Sequence, residues 1–264
     1  MKIIDFHNHV YPEKIARKAT DAVGAFYDMP AMERTGTVEE LFSSHENAGI
    51  DTCVIHAVAT NPHQVEVVND FVAKVAYENK GKVYAFGSLH LDYENKIEEI
   101  DRCISMGLKG IKLHPDTQLL NVDDDKLLEA YDYMQGKIPL LLHAGDYRYD
   151  YSHPRRIQRI CRMFPDLLVI GAHFGGWSVY DEGVKYLLGE ENCMVDTSST
   201  SGFTTPEHFA KLIHTFGADR MLFGTDFPMW DPKLELQRFM AVEMSDDDRE
   251  KVLYSNAAKT LGIK

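Results

Sequence analysis

The sequence predicts an α/β protein of the (β/α)8 TIM-barrel class. Three observations carry this expectation. Eight short apolar runs, many rich in β-branched residues, recur along the chain. Amphipathic stretches separate them. The length of 264 residues suits a barrel that closes as one domain, spanning 1–264.

The runs fall at 2–6, 52–58, 83–89, 110–113, 139–143, 167–172, 193–196 and 220–224. Continuous apolar runs of this length suit strands buried on both faces, as in a parallel sheet. Between the second and third, residues 64–79 repeat apolar positions at helical spacing: Val65, Val68, Phe71, Val72, Val75 and Ala76. The stretch 123–136 opens with three aspartates, which suit a helix N-terminus. Thr205-Pro206-Glu207 reads as a capping residue followed by proline in the first turn of a helix over 205–216. A last helix is expected over 245–261, opening on Ser245 and three aspartates. The first unit is the longest, and residues 11–36 are expected to lie over the barrel mouth. An open doubly wound sheet is the alternative, but no GxGxxG follows the first strand.

The formal net charge of −13 disfavours nucleic acid and anionic membranes as partners, while leaving room for a local basic pocket. No apolar run reaches the roughly 18 residues of a membrane span. Residues 1–10 read as a strand rather than a signal peptide. The four cysteines form no CxxC pair and read as free thiols of a reducing compartment, so a cytoplasmic location is expected.

Active sites of such barrels lie at the C-terminal ends of the strands. The first strand ends Asp5-Phe6-His7-Asn8-His9. Residues two apart on a strand point the same way, so His7 and His9 project together. Strand five ends in His143, strand six in His173 and strand eight in Asp226. Imidazoles and a carboxylate around one axis are the natural donor set for a divalent ion.

These stretches, together with Gly110-Ile111-Lys112-Leu113-His114-Pro115, Ala172-His173-Phe174-Gly175-Gly176 and Phe223-Gly224-Thr225-Asp226-Phe227-Pro228, resemble the amidohydrolase superfamily, in its family 2 branch, over nearly the whole chain. The resemblance implies a metal on His7, His9, His143 and Asp226, with His173 beside it. Asp226 is then both ligand and general base, and His173 acts on substrate or water. One divalent ion is expected, zinc first and manganese or another ion as alternatives. The main functional expectation is hydrolysis of a small amide, lactone or ester through metal-activated water. The alternative is non-oxidative decarboxylation of a small unsaturated or aromatic acid. A closed, aromatic pocket would favour the second, because decarboxylation benefits from a dry site.

Lys112 is read as an ammonium for an anionic substrate, as a carbamylated bridge to a second ion, or as a structural ion-pair partner. His114, two residues on, is expected in the pocket. Arg148 is expected to grip a substrate carboxylate. Trp177, after Gly175-Gly176, is expected to cover the site. His56 and His90 read as satisfied structural histidines. A homodimer is the oligomer expected.

Overall fold

The computed structural model describes residues 1–29 and 32–263. Eight parallel strands follow one another in sequence order around a single sheet: β1 (Ile4–His9), β2 (Thr52–His56), β3 (Val83–Ser88), β4 (Ile111–Leu113), β5 (Leu140–Leu142), β6 (Val169–Gly171), β7 (Cys193–Asp196) and β8 (Met221–Leu222). The sheet returns on itself. Phe6 N–H donates to Phe223 O at 2.8 Å, Asp226 N–H to His7 O at 2.8 Å, and His9 N–H to Phe227 O at 2.7 Å. This is the (β/α)8 barrel the sequence predicts.

Side chains alternate across the strands as the pleat requires. Ile4, Phe6, Val54, Phe86, Leu141, Ile170 and Leu222 fill the barrel interior together with Ala257, Ala258 and Leu261 of the last helix. Their neighbours Ile55, Ile111, Leu113, Leu140, Leu142 and Val169 face the helical layer. The pattern places Lys112, His143 and Asp196 on the inner side, one step further along their strands. In β1 the alternation breaks. The ladder to β2 slips between Asp5 and Asn8. Ile4 and Phe6 point inward below the slip, and His7 and His9 do so above it. A bulge re-aims side chains in this way. Asp5 is fixed at the bulge: it accepts from Thr225 N–H at 3.0 Å, from Thr225 Oγ1 at 2.5 Å, and meets His45 Nε2 at 3.1 Å.

The expected helices over 64–79, 123–136 and 205–216 are present as Val65–Glu78, Asp125–Met134 and Pro206–Phe216. Thr205 caps the third by accepting from His208 N–H. The last one is not a single α-helix. Asp246–Glu250 and Asn256–Leu261 flank one wider turn, Lys251–Ser255. There the Val252 carbonyl accepts from Phe223 N–H at 3.0 Å, which diverts it from the helical ladder. In the first connection, helix Glu13–Phe26 lies across the C-terminal end of the barrel. All four cysteines are buried free thiols. No helix among the described residues is long and apolar enough to cross a membrane.

Candidate active site at the barrel mouth

The inward residues at the strand ends form one polar cluster beneath the helix Glu13–Phe26. His7 comes first because its proton can be placed. Its Nδ1–H donates to Asp196 Oδ2 at 2.7 Å. Asp196 is itself fixed through Oδ1 by His173 N–H at 3.0 Å, Ser198 N–H at 3.1 Å and Ser198 Oγ at 2.5 Å. The lone pair of His7 is therefore on Nε2, which is fully buried and has no hydrogen-bond partner among the described residues. Asp226 Oδ1 lies 3.5 Å from it, and His9 Nε2 lies 3.6 Å from the same oxygen.

A second pair of nitrogens repeats this arrangement. His173 Nδ1 donates to Ser198 O at 3.0 Å, and His143 Nε2 donates to Gly145 O at 3.1 Å. Their other nitrogens, His173 Nε2 and His143 Nδ1, face each other at 3.0 Å. Two lone pairs that close repel unless a cation lies beside them. Two donors bound to one divalent ion stand roughly 3.0–3.4 Å apart, given metal–nitrogen distances of about 2.1 Å. The residues therefore fit such an ion: the spacings match, the protons are held on the far side of the rings, and a carboxylate orients His7 from behind. Burial, then repulsion from Lys112 or from neighbouring histidines, holds the protonation of His7, His9 and His143 well below the usual histidine range. Neutral imidazoles are the form a metal takes.

Asp226 has a different environment on its other oxygen. Ser199 Oγ–H donates to Oδ2 at 2.5 Å, and Trp230 Nε1–H donates to Ser199 Oγ at 2.7 Å. Burial raises the proton affinity of Asp226, against the opposing pull of Ser199 and Lys112. Three residues of the cluster sit in the left-handed region: His173 at φ 57°, Ser199 at φ 46° and Asp226 at φ 61°. Such conformations are costly for non-glycine residues and concentrate at functional sites.

Above the cluster is a cavity of about 700 Å³. His9, His143, His173 and Asp226 contribute its polar end. Aromatic rings enclose that end. His114 stacks on His143 with centroids 3.9 Å apart and planes 7° from parallel. Tyr27 lies edge-on to Trp177 at 5.0 Å, and its hydroxyl meets His114 Nε2 at 2.9 Å. The rest of the lining is mostly aliphatic and aromatic, with Lys18, Thr20, Thr60, Gln64, Thr117 and Ser199 as its polar residues.

The family described as amidohydrolase matches residues 4–263. The chain belongs to the amidohydrolase family. Solved structures similar to this amidohydrolase agree with its fold. An uncharacterised TIM-barrel protein from Bordetella bronchiseptica is 24% identical, with a TM-score of 0.81 and 99% of each chain covered. 5-Carboxyvanillate decarboxylase from Novosphingobium aromaticivorans, complexed with manganese and 4-hydroxy-3-methoxy-5-nitrobenzoic acid, is 17% identical. Its TM-score is 0.78, over 99% of this chain and 96% of that one. A dihydroxybenzoic acid decarboxylase from a Polaromonas species, with bound manganese and the inhibitor 2-nitroresorcinol, is 18% identical. Its TM-score is 0.76, over 99% and 97% of the two chains. No curated protein matches the chain.

Within this amidohydrolase, His7, His9, His143, His173 and Asp226 come together as one cluster, and His114 and Trp177 line the cavity. Lys112 is fully buried on β4 and does not line the cavity. Its Nζ has no hydrogen-bond partner among the described residues, so the ion-pair reading does not hold. Burial lowers its pKa. Arg148 is corrected. Asp146, two residues earlier, binds its guanidinium through both oxygens, at 3.0 and 2.7 Å, and Phe26 O accepts a third bond at 2.5 Å. Arg148 therefore braces the helix Glu13–Phe26 from outside the cavity. His56 is not satisfied. Its Nδ1 lies 3.3 Å from His9 Nδ1, and its buried Nε2 has no partner among the described residues. With His7 and His9 it forms a trio whose ligand atoms lie within 4.8 Å of one another. Asp196-Thr197-Ser198-Ser199, which ends the seventh run, supplies hydroxyls and a carboxylate to the site as its sequence suggests. Tyr27 has no such signal of its own beyond its place at the end of a stretch expected over the mouth.

Two loops enclose this end by close backbone approach. A Cβ on Gly145, at φ 80°, would lie 2.7–2.8 Å from the backbone of Gly176 and Trp177. Gly145→Ala is expected to destabilise the fold by roughly 2 kcal/mol or more, since strain and clash add. Urea unfolding measures this, and an unchanged midpoint would contradict it.

Proposed function

We propose that the protein is a metal-dependent decarboxylase of small aromatic or unsaturated acids. The observation that carries this reading is the cavity itself: a histidine and carboxylate cluster at its base, rings around that cluster, and aliphatic walls under a covering helix. Carbon dioxide loss is favoured where water is excluded, because the localised charge of the carboxylate is dispersed as it leaves. The hydrolytic reading uses the same polar residues but gains nothing from these walls. The solved relatives named as decarboxylases of hydroxybenzoic acids support the same choice.

His7, His9 and Asp226 would hold one divalent ion, with His143 and His173 beside it. When bound, the ion supplies positive charge that anchors substrate oxygens and stabilises an electron-rich ring. Manganese suits these donors as well as zinc does, and the two decarboxylase structures carry manganese.

The chain's own groups do the rest. His173, held by Ser198 through Nδ1, keeps its Nε2 lone pair turned toward His143 Nδ1 and the ion site. His114 and Trp177 position the ring between aromatic surfaces. Asp226 carries the proton. It delivers that proton to the carbon that bears the carboxylate. The new C–H bond forms, the C–C bond breaks, its electron pair returns to the ring, and carbon dioxide leaves. Asp226 is reprotonated from solvent. Seen overall, one carboxylate and one proton become one arene and one carbon dioxide.

A panel of hydroxybenzoates, unsaturated acids, lactones and amides, assayed with manganese or zinc, tests the assignment. Carbon dioxide release from at least one hydroxylated acid is the expected result. Hydrolysis of a lactone or amide with no carbon dioxide from any acid would overturn it.

A further inference from the structure

The cavity does not end at the metal-type cluster. It continues as a groove between the helices Glu13–Phe26 and Val65–Glu78. On the first helix, Ile15, Ala19 and Val23 recur every four residues, so they share one face. That face lines the groove, and the small residues Ala16, Thr20 and Gly24 are the buried ones of the helix, Thr20 also touching the cavity. Val67, Val68 and Phe71 supply the opposite wall. Ile15 is 50% exposed and Val67 67% exposed, which is unusual for large apolar residues that face each other across a gap. Apart from the cluster, the polar residues of the lining are Lys18, Thr20, Thr117 and, at the outer rim, Thr60, which donates to Gln64. A single-ring acid fills a fraction of a cavity this size, which is that of a site for a drug-sized ligand.

We infer that the substrate carries an apolar substituent, an alkyl chain or a second ring, which runs from the polar cluster along this groove. The inference rests on the proposed reading only for the acid end of the ligand. Ile15, Ala19, Val23, Val67, Val68 and Phe71 outnumber the polar residues Lys18, Thr20 and Thr117 of the lining, so the groove favours aliphatic carbon over polar groups. Continuity with the polar cluster makes the occupant part of the ligand bound there.

The test uses the full-length protein loaded with manganese and a series from benzoate to 4-hexylbenzoate. Calorimetry reads binding, and carbon dioxide release is read in parallel on the matching 2-hydroxy acids. Each methylene placed in the groove should tighten binding about three- to fourfold. Val67→Asp, at an exposed site, and Ala19→Phe, which narrows the groove, should both flatten this dependence on chain length. Binding that is independent of chain length in the natural protein, or a dependence untouched by both variants, would overturn the inference. Carbon dioxide release bears on the reaction alone. Tighter binding of long chains without any release would sink the decarboxylase reading and leave the groove standing.

Discussion

Asp226→Asn is expected to lower turnover by about three orders of magnitude while leaving the fold intact. The loss follows from the two duties of the carboxylate. One oxygen faces His7 Nε2 and His9 Nε2, and the other takes the Ser199 hydroxyl. An amide can keep the Ser199 contact but cannot take up and return a proton near neutrality, and removing a positioned acid–base group typically costs 10²–10⁴-fold. The fold is expected to survive because asparagine has the same shape and, with aspartate, tolerates the left-handed backbone best among non-glycine residues. Position 226 needs that conformation at φ 61°. Compared without metal, the melting temperature should therefore stay within about 3 °C of the natural protein's. A variant with near-normal rates would remove Asp226 from the chemistry.

Stripping the metal is expected to have the second large effect. Protein purified without chelator should carry about one divalent ion per chain. Chelation should abolish activity and lower the melting temperature by about 10 °C, with recovery on adding manganese or zinc. The size of the shift comes from linkage. An ion present at a thousand times its dissociation constant stabilises by about 4 kcal/mol. Each kcal/mol is worth roughly 2–4 °C in a protein of this size. The structure also gives a reason for the direction. Without a cation, His7 Nε2 is buried and unpartnered, and two imidazole lone pairs oppose each other at 3.0 Å. His7→Ala should bind the ion poorly and no longer respond to it. Metal-free protein with full activity, or a melting temperature indifferent to chelation, would refute the site.

The strands were legible because strands buried on both faces need continuous apolar runs, and such runs leave little else to choose. The cluster was legible for a related reason: a histidine or aspartate ending such a run has one place to go in a closed barrel. What escaped depends on contacts between distant residues or on local competition. The bulge in β1 is set by Asp5, whose partners Thr225 and His45 are remote in sequence. Arg148 looked like a carboxylate grip, but a carboxylate two residues away satisfies it. His56 looked like a satisfied residue, and its neighbours His7 and His9 leave one nitrogen bare. Hydrolysis and decarboxylation use the same acid, the same histidine and the same ion, so only the walls of the cavity separate them. Most of those walls come from residues with no chemical signature of their own.

The helix Glu13–Phe26 gives the molecule a division of labour along the chain. The groups that move a proton or hold an ion sit at or just beyond the strand ends, and Asp226 is tied to β1 by its own backbone, so they cannot shift without disturbing the barrel. Much of the surface that meets the far end of a ligand lies in one contiguous connection after β1, seated through small residues. Exchanging that connection would retune which molecules enter while the machinery below stays as it is. A lineage of such proteins can therefore change its diet by editing one short stretch of sequence, and an engineer can do the same.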